Sequence, residues 1–354
     1  MKKVLLHTIT AETIGGTTTV IKEIKNSYLS NKFNFVNLYQ TEACGYNPFR
    51  AICFINKYRK LINKENADSI YICGLLYSGF LMTLAAKLSN VKKVILSIHG
   101  TEWDKDNKQW FKKALLCGLI EPLTVLLADK VFTVCKKALT NPAIKKCWRN
   151  NVYGVIYNQI PSLNPNDYEF GIFRKEQNIS KNKYLISVVG RIVEGKGHEY
   201  IIKAIKKIKN ENYVFAIVGD GPYIEKYYSE CGVEIENGSV KLLGIRSDVL
   251  QILRDSDVFL FATLHENHSK ALLEAVCMKC TALCTNVGGN PEIIEHDVSG
   301  ILIPAKDDDA IVYGLKRLEN QKLRISYANK AYEICQKRFS EKNTLGVLEK
   351  LFEE

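Results

Sequence analysis

The feature that most constrains this chain is a repeated alternation. A short apolar run is followed by a polar or glycine-bearing loop, and then by a stretch with apolar residues at helical spacing. The runs lie at 4–10, 33–38, 69–73 and 93–98, and again at 184–190, 214–218 and 258–262. Parallel strands can be joined only by crossovers, and strands covered on both faces read as continuous apolar runs. Repeated strand–helix units of this kind therefore predict parallel sheets with helices on both faces. The two series are separated by residues 162–183, which are polar and turn-rich. The expected organisation is a first domain over 1–160, a linker over 161–183 and a second domain over 184–339.

In such sheets, ligands bind outside the carboxyl ends of the strands, where helix N-termini offer N–H groups and positive potential. Four strand ends attract attention for that reason. After 258–262 comes the polar segment 264–269, and then a predicted helix over 270–279 with Ser269 as its cap. Glu266 falls in the loop and Glu274 about one turn into the helix, so both carboxylates can face one ligand from two heights. Two glutamates at this spacing are, by themselves, as well explained by a solvated face. After 184–190, Arg191 and Lys196 share a short loop that Gly195 and Gly197 allow to bend. A guanidinium fork and a compact ammonium can converge there on a diphosphate. Gly15 and Gly16 precede a helix and permit close approach of a ligand to the backbone. His99 ends the 93–98 strand; a lone histidine is more often structural, but a strand end points it away from the core. No Gly-x-Gly-x-x-Gly occurs, which argues against a dinucleotide cofactor.

In order and wording these motifs resemble those of the retaining GT-B glycosyltransferases of family 4. The resemblance rests on Glu266 with Glu274 and the intervening His268-Ser-Lys-Ala-Leu-Leu, on Gly190-Arg191 with Lys196-Gly197, on Gly15-Gly16, on His99-Gly100 and on the hinge wording Val155-Ile-Tyr-Asn158. It covers nearly the whole chain and is more specific in the C-terminal half. It implies an α/β fold of two Rossmann-like domains whose parallel sheets face each other across a cleft. The first would bind the acceptor, the second the nucleotide sugar, and a last helix over about 340–354 would pack back on the first. The implied reaction moves a sugar from a nucleotide-diphosphate donor, UDP favoured over GDP, to a hydroxyl of a glycan or lipid-linked saccharide. The anomeric configuration would be retained, in bacterial-type surface polysaccharide assembly.

By that resemblance His99 and Glu266 contact the donor sugar, Arg191 and Lys196 clamp the diphosphate, and Glu274 holds the ribose. Gly244 and Arg246 would face the base. Asn267, His268, Ser269, Lys270 and Ala271 would line the donor site, with backbone amides from Ser269 to Ala271 on phosphate. Two departures stand out: Asn267 replaces the glycine usual after the first motif glutamate, and Lys279 a glycine common at that helix end. No metal or other cofactor is expected. The Asp255-Ser-Asp257 pair precedes a strand instead of following one, and Asp104, Asp106 and Asp307–Asp309 read as loops or caps.

The formal charge of +11 is unevenly placed. Residues 1–160 hold 23 Lys and Arg against 10 Asp and Glu, and the remainder holds 26 against 28. A basic first half attracts phosphates, which suits a lipid-linked diphosphate or an anionic membrane surface. Basic clusters beside Trp110, Phe111 and Trp148 keep peripheral membrane contact open, and Pro122 is expected to kink the helix that runs to about 127. No apolar run approaches a membrane span and the N-terminus lacks a signal-peptide core, so the expected location is cytoplasmic. The eleven cysteines are an odd number set largely in apolar runs, as reduced buried thiols are. Cys277, Cys280 and Cys284 lack an evident fourth zinc ligand. Two rival readings are a nucleotide-sugar epimerase of similar shape, and a basic RNA- or membrane-binding protein without catalysis. The second leaves Arg191, Lys196, Glu266 and Glu274 without purpose, and nucleic acid is not an expected partner.

Overall fold

Strands form where β-branched and aromatic residues crowd into runs buried on both faces, as in Tyr213–Val218 and Val258–Phe261, whose side chains are all buried. The computed structural model describes residues 1–9, 15–41, 47–100, 110–146 and 151–354, the side chains of 9, 110–112 and 146 excepted. The chain divides into two units, Met1–Asn158 with Glu341–Glu354, and Gln159–Ser340.

The first unit holds β1 (Lys2–Ile9), β2 (Phe33–Gln40), β3 (Ser69–Cys73), β4 (Lys93–Ile98), β5 (Lys130–Thr133) and β6 (Val152–Val155). They form one six-stranded parallel sheet in the order β2-β1-β3-β4-β5-β6. β5 has no counterpart among the expected strands; its four residues are too few to show a period, and pairing with β4 makes it a strand. Helices Pro48–Glu65, Tyr77–Lys87 and Glu121–Leu127 bury Phe54, Tyr58, Met82 and Val125 against Leu5, Ile70 and Leu96 on one face. Gly16–Asn26 and the last helix, Glu341–Glu353, bury Ile21, Ile24, Leu348 and Phe352 against Val4, Leu6 and Tyr71 on the other. Phe352 meets Phe33 and Tyr71 edge-on at 5.4 and 6.3 Å. Each such buried side chain contributes roughly 1.5–3 kcal/mol relative to exposure, enough to hold a terminal helix. Just before Pro122 the helix widens into a π turn over Leu116–Ile120. The wider turn accommodates a residue that has no N–H to donate.

The second unit holds β7 (Tyr184–Val189), β8 (Tyr213–Val218), β9 (Val240–Leu242), β10 (Val258–Phe261), β11 (Thr281–Thr285) and β12 (Ile301–Ile303). Their parallel order is β12-β11-β10-β7-β8-β9. The winding direction reverses between β7 and β10, and the crevice beyond the carboxyl ends of those two strands is the topological switch point.

Residues 161–183, read from composition as a linker, lie within this second unit. Phe173 is fully buried among Leu185, Val214 and Ile252. Asp255 accepts hydrogen bonds from the backbone N–H of Gly171, Phe173 and Arg174 at 2.7, 2.7 and 3.2 Å. Asp257 takes Arg174 at 2.7 Å and Arg324 at 2.8 Å. The Asp-x-Asp pair thus ties a turn-rich segment to the sheet, a role that a hydrophobic period cannot reveal.

Candidate functional site

The loops that leave the carboxyl ends of β7 and β10 are stitched together. The backbone N–H of Leu264 and the hydroxyl of Thr263 both donate to the carbonyl of Gly195, at 3.0 and 3.2 Å. Thr285, at the end of β11, donates to the Thr263 carbonyl at 2.6 Å, and Asn290 donates to the Thr285 carbonyl at 3.0 Å. Thr263, Thr285 and Asn290 are buried, so this chain of hydrogen bonds is shielded from water. The approach is also close. An added Cβ on Gly197, whose φ is +72°, would lie 1.9 Å from the Ala262 carbonyl oxygen. One on Gly288, at φ +54°, would lie 1.5 Å from the carbonyl oxygen of Glu266. Both positions therefore demand glycine twice over, by conformation and by space.

Within this frame Lys196 Nζ lies 2.6 Å from a carboxylate oxygen of Glu266, and 5.2 Å from the centre of the Phe261 ring. The two side chains are about one-fifth exposed, open enough for a ligand to reach them. Arg191 itself is exposed, but its backbone is held: His198 Nε2 is 3.2 Å from the Arg191 carbonyl, and His198 Nδ1 is 2.9 Å from the Tyr227 hydroxyl. Burial pushes the His198 imidazole down to about 4, so the ring is neutral near pH 7. A carbonyl can only accept, so the single ring proton sits on Nε2 and the tyrosine donates to Nδ1. Ile192 adds backbone hydrogen bonds to Asp220 and Tyr223 at 2.8 and 3.0 Å. Neither His198 nor Tyr227 was singled out from sequence. The signal that could have found His198 is its place directly after the Lys196-Gly197 turn.

The helix after β10 runs Lys270–Cys277, and Ser269 caps it by accepting from the Leu272 N–H at 3.3 Å. Glu274 is half-buried on its second turn. Asn267 donates its backbone N–H to a carboxylate oxygen of Glu266 at 3.3 Å. Ala271 is half-buried in the first turn. Three further residues expected at the donor have their side chains engaged elsewhere. The Lys270 ammonium is buried and donates to the Gln159 carbonyl at 2.7 Å, leaving its backbone amide as its contribution to the loop end. The His268 ring is buried edge-on to Phe339 at 4.7 Å. Arg246 is gripped by Asp248 at 2.7–2.8 Å and by Glu176 at 2.9 Å. Gln159, Phe339 and Glu176 lie far away in sequence, where no local pattern reaches, and only Asp248 is a near neighbour. Gly244, at φ +64°, presents its carbonyl to the Gly219 N–H at 2.8 Å and so joins the loops after β9 and β8.

The other expected residues belong to the first unit. Gly15 and Gly16 open the helix Gly16–Asn26, exposed, and an added Cβ on either meets nothing within 4 Å. The first unit's own packing therefore does not require glycine at these positions. His99, half-buried at the end of β4, is 2.9 Å from the Ser97 hydroxyl through Nε2, and desolvation holds it down to about 4. Asp104, Asp106, Lys108 and Trp148 lie outside the described residues, as do the side chains of Trp110 and Phe111. No group of three His, Cys, Asp or Glu side chains that could hold a metal occurs among the described residues. No described helix is long and apolar enough to cross a membrane.

Residues 169–334 match the family model described as glycosyl transferases group 1, and residues 19–130 one described as glycosyl transferase 4-like. The chain is 27% identical over 276 residues, 75% of its length and 69% of the relative's, to the UDP-Gal:alpha-D-GlcNAc-diphosphoundecaprenol alpha-1,3-galactosyltransferase of Escherichia coli. It is 26% identical over 291 residues, 80% of its length and 75% of the relative's, to an N-acetylgalactosaminyltransferase of Campylobacter jejuni. That enzyme's name specifies a diphospho-undecaprenol-linked disaccharide. Among solved structures, the sucrose-phosphate synthase of Thermosynechococcus elongatus superposes with a TM-score of 0.81 at 14% identity, covering 100% of this chain and 98% of that one. An Anabaena protein solved with UDP-glucose superposes with a TM-score of 0.78 at 16% identity, covering all of both chains. At such identities the superpositions show the fold.

Proposed function

The chain belongs to the group 1 glycosyltransferases of GT-B fold, and we propose that it transfers a hexosyl or N-acetylhexosaminyl group from a UDP-sugar to a hydroxyl of a lipid-linked saccharide, with retention. The observation that carries this reading is the meeting of Lys196 and Glu266 at the switch point, beside an exposed Arg191 with a fixed backbone and the capped start of the Lys270–Cys277 helix. A site of this make-up suits a nucleotide diphosphate: two cations, a helix N-terminus and a carboxylate close by. UDP is favoured over GDP because the Escherichia coli relative is named for UDP-Gal and the Anabaena structure holds UDP-glucose. A lipid-linked acceptor is favoured because both named bacterial relatives act on undecaprenol diphosphate saccharides.

In the proposed mechanism the donor diphosphate takes over Lys196 from Glu266 and adds Arg191, while amides at the start of the Lys270–Cys277 helix take further phosphate oxygens. Glu274 holds the ribose. Glu266, released from its ion pair, hydrogen-bonds to the donor sugar, and His99 contacts that sugar as a neutral imidazole. The bond from the anomeric carbon to the diphosphate oxygen breaks with its electron pair on that oxygen, where the two cations stabilise the growing charge. The acceptor hydroxyl forms its bond on the same face and passes its proton to the departing phosphate.

The test is turnover with a panel of UDP- and GDP-sugars and an undecaprenyl diphosphate-linked acceptor, with the product anomer read by NMR. Acceptor-dependent release of UDP with an α-linked product from an α-donor supports the reading. A trapped covalent glycosyl-enzyme would refute the same-face step, and acceptor-free interconversion of the nucleotide sugar would make the protein an epimerase.

A further inference from the structure

The helix that follows the Lys196-Gly197 turn runs His198–Lys207, and it buries His198 in one stripe with Ile201, Ile202 and Ile205. A leucine at its first position would complete that stripe without taking two ring nitrogens out of water. The histidine instead bridges two elements. Its Nε2 donates to the Arg191 carbonyl at 3.2 Å, and its Nδ1 accepts from the Tyr227 hydroxyl at 2.9 Å. Tyr227 is fully buried on the helix Ile224–Glu230, and its ring meets the imidazole edge-on at 5.7 Å. A tyrosine that donates to Nδ1 keeps the ring proton on Nε2, the nitrogen that faces the carbonyl.

The residues on either side of Arg191 are held by the turn after β8. An added Cβ on Gly219 would lie 1.9 Å from the Gly190 carbonyl oxygen, and one on Gly221 2.4 Å from that of Ile192. Ile192 also donates its N–H to the Asp220 carbonyl at 2.8 Å. The Arg191 carbonyl, between these two contacts, accepts from His198 and from the Val193 N–H at 3.0 Å. From there the chain reaches Lys196 through a loop whose Gly195 and Gly197 supply little local restraint. The His198 ring therefore ties Arg191 to the helix that starts two residues after Lys196, and so fixes the spacing between the two cations. A clamp already set at that spacing loses less freedom when an anion arrives than one that must gather two mobile side chains. We propose that His198, oriented by Tyr227, is a positioning residue that sets Arg191 relative to Lys196 for a nucleotide diphosphate. The proposal rests on the transfer reading, because it takes the anion between the cations to be the donor's diphosphate.

UDP binding to the full chain is measured by titration calorimetry, with thermal melting to show that each variant is folded. His198→Leu should weaken UDP about tenfold, and the isosteric Tyr227→Phe roughly three- to tenfold. His198→Gln, whose amide can still donate to the Arg191 carbonyl, should stay within about threefold of the parent. In an Arg191→Ala background, His198→Leu should weaken UDP by no more than about twofold further, since it acts through the arginine. That non-additivity separates positioning from general damage to the fold. UDP affinity that neither His198→Leu nor Tyr227→Phe lowers overturns the proposal, and so does an equal loss from His198→Leu with and without Arg191. Should His198→Leu fail to fold, Tyr227→Phe decides by the same comparison in both backgrounds. A parent that binds neither UDP nor GDP overturns the transfer reading itself. A parent that binds UDP and turns over, with both variants unaltered, leaves that reading standing and removes only the role of His198.

Discussion

Gly288→Ala tests whether the position of Glu266 sets the rate. The added Cβ would stand 1.5 Å from the Glu266 carbonyl oxygen and 2.6 Å from its carbon, and real Cβ contacts essentially never fall below 3.0 Å. One loop must therefore yield by about 1.5 Å. The left-handed φ of +54° adds roughly 1–2 kcal/mol for a residue with a side chain. The Glu266 loop is bound through Leu264 and Thr263 to Gly195, so a displacement of that loop reaches both partners of the Lys196–Glu266 pair. A displacement of ~1 Å at a positioning group can cost roughly 10²-fold in rate. Initial rates over a range of donor concentrations should therefore show kcat/KM lower by about 10²-fold or more. Calorimetry should show the second unit melting roughly 2–12 °C lower, from a loss of about 1–3 kcal/mol at about 2–4 °C per kcal/mol. Gly232→Ala, where an added Cβ meets nothing within 4 Å, is the control and should leave rate and melting nearly unchanged. If Gly288→Ala keeps its donor kcat/KM within about twofold of the parent, Glu266 does not govern the reaction through its position.

Other expectations follow from the same geometry. Lys196→Ala should lower donor kcat/KM by roughly 10²–10³-fold. Its stability should change by no more than about 1 kcal/mol, because the pair is partly exposed; a large stability loss with unaltered kinetics would make the pair structural. Asp255→Ala leaves three N–H groups, two of them buried, without their acceptor and should destabilise the second unit by roughly 3–5 kcal/mol in denaturant melts. Turnover should be insensitive to EDTA, and a rate lost to chelation and restored by a divalent ion would contradict the metal-independent reading. His7, His99 and His198 are each pushed by burial from 6.5 to about 4. The unfolded chain therefore binds more protons than the folded one between pH 6.5 and 4. Their contribution to stability is complete above about 6.5 and is lost as pH falls through that window. Melting temperatures should drop from pH 7 to pH 5, with a shallower slope for His198→Gln; identical slopes would show that His198 is not held neutral in the fold.

Much of the architecture was legible because a parallel strand, its loop and its helix each leave a local trace. Residues 258–262 read as a buried strand and 270–279 as a helix capped by Ser269, and the structure has them as Val258–Phe261 and Lys270–Cys277. The limits of local reading appear at 161–183, where one buried phenylalanine and the Asp255 hydrogen bonds outweigh a polar composition. They appear again at β5, whose four residues become a strand through pairing with β4.

Sequence by itself determined that two series of strand–helix units would build parallel sheets, and which loops would stand at their carboxyl ends. Both follow from hydrophobic period and from glycine, proline and capping residues acting within a few positions of one another. Which side chains meet across those loops was decided by tertiary structure. Lys196 and Glu266 are seventy positions apart and touch because β7 and β10 pair at the point where the winding reverses. The same long-range order turned Lys270 to the Gln159 carbonyl, bound Arg246 to Glu176 and set Tyr227 against His198. A cation engages whichever oxygen the fold brings nearest, and strand order, which no local pattern records, chooses that oxygen.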